Sequence, residues 1–139
     1  MIEILPDRLW LGNAHDARNP SAVHQRGIRA ILDLAHDEPP IVGYRDLIVS
    51  RVPLVDASGN DVLLLRIAIS QAVSLLKNDV PTLIACSAGL SRTPAIAAAA
   101  LSIHKNRDPD DVLNELIAQR PHDVSPTLWN DVKNVLPTI

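Results

Sequence analysis

Cys86 and Arg92 bracket the heptapeptide Cys86-Ser87-Ala88-Gly89-Leu90-Ser91-Arg92, which holds the chain's single cysteine. A thiolate is a strong nucleophile, and a guanidinium is a planar fork that can grip two oxygens of one phosphoryl group. Val80-Pro81-Thr82-Leu83-Ile84-Ala85 just before reads as a short buried strand, and Thr93-Pro94-Ala95-Ile96 with the alanines after it reads as a helix. A strand, a tight glycine-containing loop and a helix N-terminus make an anion site, because successive N–H groups point inward and the helix dipole adds positive potential. The same field favours the thiolate form of Cys86. Nucleophile and phosphate cradle therefore share one loop, with Ser87, Ala88, Gly89, Leu90, Ser91 and Arg92 as the phosphate-binding residues. Free cysteines are often simply buried, but a purely structural one has no need of this setting.

The elements that must carry this loop are legible along the chain. Ile2 to Leu5 and Leu9 to Leu11 are short extended pieces around a turn at Pro6-Asp7-Arg8. Asn19-Pro20 opens a short helix through Gln25, closed by Gly27. Ile28 to Leu34 reads as a strand, His36 to Pro40 as a breaker-rich loop, and Leu47 to Leu54 as another strand. Asp61 caps a long helix to about Lys77, whose polar residues Arg66, Ser70, Ser74 and Lys77 form one stripe, so that most of its girth is expected to be buried. The nearly uncharged helix from Thr93 to about His104 belongs deep in the core. Asp108-Pro109-Asp110-Asp111 and Ser125-Pro126 start two further helices. Strands alternate with helices early and helices dominate late. That pattern predicts a small α/β domain with a mainly parallel sheet of about four to five strands flanked by helices.

Composition narrows the function classes. The chain has 139 residues, 47% of them apolar, and suits one domain over 1–139 with an aliphatic core, since there is no Phe and one Tyr. One cysteine excludes an internal disulfide and a multi-cysteine zinc site. No apolar run reaches membrane-span length, and the N-terminus lacks a secretory pattern. A reducing, cytoplasmic setting is the expectation. With a net charge of −3 and no large basic cluster, neither nucleic acid nor membrane is expected as a partner, and oligomeric state is not indicated.

The heptapeptide resembles the Cys-x5-Arg signature of the cysteine-dependent protein tyrosine phosphatase superfamily, and Ala88-Gly89 with Ser91-Arg92-Thr93 match its dual-specificity branch. The resemblance extends over almost the whole chain. Ile4 to Gly12 is similar to that family's opening segment, Gly27 to Leu34 to its first core strand, Val52-Pro53-Leu54-Val55-Asp56 to the segment carrying its general acid, and Arg120-Pro121 to a recurring pair before its last helix.

What the resemblance implies is metal-independent hydrolysis of phosphomonoesters, with no cofactor, through a phosphocysteine on Cys86. Arg92 and the loop amides would hold the phosphoryl oxygens. Asp56, thirty residues before Cys86, would protonate the leaving group. From the residues alone Asp56 reads rather as a solvated loop acid, and Asp61, its competitor, reads better as a helix cap. Thr93 would hydrogen-bond the Cys86 sulfur, or else cap the helix. Ser91 would stabilise the loop's own backbone by local side-chain bonds. The uncharged positions Ser87, Ala88, Leu90 and Ser91 favour a singly phosphorylated group, phosphotyrosine or phosphoserine/threonine on a protein. Ala85 stands where the family usually has histidine, which implies reduced activity. An alternative reading follows from it: an attenuated module that binds phosphorylated partners without efficient turnover. A third, rhodanese-type sulfur transfer, fits the Ala-Gly and Ser-Arg-Thr pattern least.

Overall fold

Four short apolar strands run parallel and end at one edge, and that edge carries all the chemistry. The computed structural model describes residues 1–139. The strands are β1 (Ile2–Leu5), β2 (Leu9–Gly12), β3 (Ala30–Ala35), β4 (Ile48–Leu54) and β5 (Thr82–Ala85), in spatial order β1-β2-β5-β3-β4. Only β1 is antiparallel, joined to β2 through the expected turn, in which Asp7 has a positive φ of 58°. β2, β3 and β4 all run parallel to the central β5 and β3 ladders. The helices are α1 (Ala14–Ala17), α2 (Pro20–Gln25), α3 (Val62–Lys77), α4 (Arg92–Lys105), α5 (Pro109–Ala118) and α6 (Pro126–Val135), followed by a short 3-10 turn at Leu136–Thr138.

Alternation along the strands splits the core between the two sheet faces. Leu9, Leu11, Leu32, Leu34 and Ile84 pack against α3, α4, α5 and α6 in the larger cluster. Trp10, Ile31, Leu83 and Ala85 pack on the other face with Ala17, Val23 and Ile28. Helix α4 is buried over its first eleven residues, as its near-absence of charge predicts. Its run of four consecutive alanines, 97–100, lets it lie close against the sheet and α3. Asp108 and Ser125 cap α5 and α6 as expected, and Trp129 of α6 donates its indole N–H to Asp110 of α5 at 2.8 Å.

One expectation changes, and one element is new. Helix α3 buries a narrower stripe than its composition suggests, Leu65, Ala68, Ile69, Ala72, Val73 and Leu76, while Val62 and Leu63 of its first turn are exposed. It has the sheet and two helices on one side only. The one-turn helix α1 was not legible from apolar periodicity, being too short to show any. Its signal is the reciprocal cap between Asn13 and Asp16.

Candidate active site

Because β2, β3, β4 and β5 are parallel, the loops after Gly12, Ala35, Leu54 and Ala85 all emerge at the C-terminal edge of the sheet, where open α/β sheets bind ligands. The loop 86–92 is central. Its carbonyls are turned outward and taken up by the surroundings. Ser87 O accepts from Ala14 N at 3.1 Å, Leu90 O from Asp123 N at 2.9 Å, and Gly89 O from Arg120 Nη2 at 2.5 Å. The backbone N–H groups of residues 87–91 find no protein acceptor. A loop with bonded carbonyls and free amides is a cradle for an anion.

Gly89 makes that conformation possible. Its φ is +75°, and a Cβ there would lie 2.7 Å from Gly12 O and 2.9 Å from Gly12 C. Both obstacles are backbone at the end of β2, so neither can swing aside. Gly89→Ala is expected to lose about 1–3 kcal/mol of stability from the left-handed backbone alone, and to disorder the cradle. A thermal melt and aryl phosphate kinetics on the purified variant check this. An unchanged Tm with full activity would show that the loop tolerates another path.

Cys86 is buried, 2% exposed, at the floor of a cleft that Asp56, Ala88, Leu90, Ser91, Arg92 and Asp123 also line. Arg92 is held from one side: Nη1 donates to Asp37 Oδ1 at 2.7 Å and to Leu54 O at 2.8 Å. Its buried Nε has no partner, and Nη2 makes no protein hydrogen bond. The Nε–Nη2 edge, the one suited to bidentate grip of two oxygens, is thus left open. Burial of Arg92 works against its charge, but the Asp37 hydrogen bond and the nearby Cys86 and Asp56 outweigh it and keep the guanidinium more firmly protonated than usual. Asp37 in turn is held below the ordinary carboxylate range, chiefly by the Arg92 hydrogen bond.

Asp56 reaches the cleft from the loop after β4. Asn60 shapes that loop, accepting from Val55 N at 2.8 Å and donating to the carbonyls of Val55 and Ala57. Gly59 N donates to Asp131 of α6 at 3.2 Å, fastening the far side. Asp61 caps α3 through Leu63 N at 2.8 Å, so the competing carboxylate is committed to helix capping.

Two hydroxyls lie elsewhere than expected. Thr93, fully buried in the first turn of α4, donates to Gly12 O at 3.5 Å and makes no hydrogen bond with the Cys86 sulfur. Ser91 sits at the N-cap without capping, and its Oγ accepts from Ser125 N at 2.9 Å, tying the loop to the start of α6 rather than to its own backbone. In both cases a packed neighbour, remote in sequence, outcompetes the local partner.

The structure also adds residues to the site. Glu38 Oε1 accepts from Ser87 Oγ at 2.7 Å, so the adjacent acids Asp37 and Glu38 grip both ends of the cradle. Arg51 steadies their loop by donating to the carbonyls of Ala35, His36 and Glu38. Arg120 lies behind the cradle with Nε and Nη1 buried and unpartnered. Burial lowers its pKa, against the pull of Cys86 and Asp16. The only sequence signal for Asp37 and Glu38 was an acidic pair just after a buried strand.

A family model described as "Polymorphic toxin system, DSP-PTPase phosphatase" matches residues 12–106, a span from the end of β2 through α4 that includes the whole cradle. The chain belongs to this DSP-PTPase phosphatase family. No curated protein matches the chain. Among solved structures, human DUSP28 superposes with a TM-score of 0.82 at 19% identity, over 96% of this chain and 94% of that one. A mouse putative dual specificity phosphatase complexed with zinc tungstate gives 0.81 at 20%, covering 99% and 91%. DUSP15 gives 0.81 at 22%, covering 98% and 86%. These similarities show the dual-specificity phosphatase fold over nearly the full length. No helix is long and apolar enough to cross a membrane.

Ala85 is buried and pairs in register with Asp33 of β3. Asp33 is buried too, with Oδ1 on Ala35 N at 3.1 Å and Oδ2 unpartnered, and burial pushes its carboxyl above the ordinary range despite Arg18, Arg51 and Arg92.

Proposed function

We propose that this family member hydrolyses phosphotyrosine and/or phosphoserine/threonine of proteins through a phosphocysteine intermediate. The observation that carries the reading is the convergence of Cys86, the open edge of Arg92 and the carboxylate of Asp56 on one cleft. The Cys86 thiolate attacks phosphorus, the P–O bond to the alcohol breaks, and the Asp56 carboxyl gives its proton to the departing oxygen. The amides of the cradle and Arg92 stabilise the three equatorial oxygens as charge shifts in the transition state. Water then attacks the phosphocysteine, passing a proton to the Asp56 carboxylate. The P–S bond breaks and inorganic phosphate leaves with the thiolate restored.

Steady hydrolysis of an aryl phosphate with excess chelator, inhibited by vanadate, tests the reading. Absence of turnover would favour instead a module that captures phosphorylated partners. That second reading draws on Ala85, which gives the loop no imidazole to brace it.

Asp56→Asn is expected to lower kcat/KM, which reports only the leaving-group step, about 10²–10⁴-fold for poor leaving groups such as alkyl phosphates, and much less for nitrophenyl phosphate, whose oxygen departs without a proton. Rates measured across a series of leaving groups check this. A uniform loss would make Asp56 a positioning residue, and no loss would remove it from the reaction.

A further inference from the structure

The rim of the cleft is acidic where its floor is built for an anion. Asp56 and Asp123 line the same hollow as Cys86 and Arg92, and Asp37 lines the adjoining one. No lysine lines either hollow, and Arg92, the only arginine, already shares its charge with Asp37. Asp123 is exposed, and its carboxylate makes no hydrogen bond or ion pair with the protein. Its position is fixed all the same, because its N–H donates to Leu90 O in the cradle at 2.9 Å.

The floor supplies the independent sign of a ligand. Arg92 is 5% exposed, its Nε is unpartnered, and the amides of 87–91 are free. A phosphoryl dianion seated there leaves the rest of the substrate against the Asp123 rim. Chain on either side of the phosphorylated residue therefore meets negative potential, which attracts cationic side chains and repels carboxylates and further phosphates.

Resting on the protein-phosphatase reading above, we propose that Asp123 is a specificity-determining residue that selects phosphopeptides carrying lysine or arginine beside the phosphorylated residue. It pairs with that side chain at the lip of the cleft while the cradle holds the phosphoryl group. Acidic phosphopeptides and polyphosphorylated lipid headgroups are disfavoured by the same charge.

Fluorescence anisotropy on Cys86→Ser, which keeps the cradle without turnover, tests this with three labelled phosphotyrosine peptides differing only in arginine, alanine or glutamate at the flanking positions. The arginine peptide should bind tightest and the glutamate peptide weakest, with a span of about tenfold in Kd that shrinks in high salt. Adding Asp123→Asn should narrow the span about threefold and leave the alanine peptide within about twofold. Equal Kd values, an undiminished span in the double variant, tighter binding of the glutamate peptide or of phosphoinositide vesicles, or no binding at all would overturn the proposal. Wild-type hydrolysis of a small aryl phosphate, which does not reach the rim, separates the two ideas. Turnover with a flat peptide profile sinks the selection alone. Arginine preference without turnover sinks the hydrolase reading alone.

Discussion

Cys86→Ser is expected to abolish phosphatase turnover while leaving the fold and anion binding in place. A serine hydroxyl at this position has no adjacent base to activate it, whereas a thiolate is already nucleophilic. Loss of the nucleophile in a covalent mechanism costs about 10⁶ in kcat. The exchange is nearly isosteric within a buried setting, so the cradle that binds phosphate through Arg92 and the amides of 87–91 should persist. Aryl phosphate kinetics, with circular dichroism and a phosphate-shifted thermal melt, read both halves. Wild-type rates in the purified serine variant would remove Cys86 from the reaction.

Arg92→Lys is expected to lower kcat/KM about 10²–10³-fold, the scale of removing a charge-stabilising donor. Arg92 serves two directions at once. Nη1 is spent on Asp37 and Leu54 O, and the opposite edge faces the cleft. An ammonium can satisfy one side only, and it has no fork for two oxygens. Lysine would also lose the bond to Asp37 or the one to the Leu54 carbonyl, which would keep only His36 N–H at 3.2 Å, so a modest fall in Tm should accompany the loss. Retained kcat/KM with an unchanged Tm would show that Arg92 is structural rather than part of the phosphoryl grip.

The residues that could be read ahead of the structure are those whose signals are local. The strand–loop–helix around Cys86, the caps Asp61, Asp108 and Ser125, and the uncharged α4 each announce themselves within a dozen residues. Asp56 lies at the edge of the sheet beside Cys86 because parallel strands deliver their following loops to one side, a consequence of its place just after a strand. What stayed hidden was set by long-range packing. Asp37 and Glu38 reach the cradle only because β3 lies next to β5 in the sheet, a strand order that no local pattern encodes. Thr93 turns to Gly12, and Ser91 to Ser125, because close packing offers those groups better partners than the local ones. Asp123 gave no sign at all, lying in a polar stretch that reads as loop. It gains its place from one backbone hydrogen bond to Leu90.

Trapping the covalent intermediate tests the mechanism most directly. Asp56→Asn should accumulate it with nitrophenyl phosphate, because the first step needs little acid there while the second lacks its base. Acid quenching after a few turnovers, followed by mass spectrometry of the Cys86 peptide, should show one added phosphoryl group on the cysteine, formed in step with a burst of nitrophenol. Phosphate released in step with nitrophenol from the first turnover, with Cys86 unmodified, would contradict the phosphocysteine mechanism.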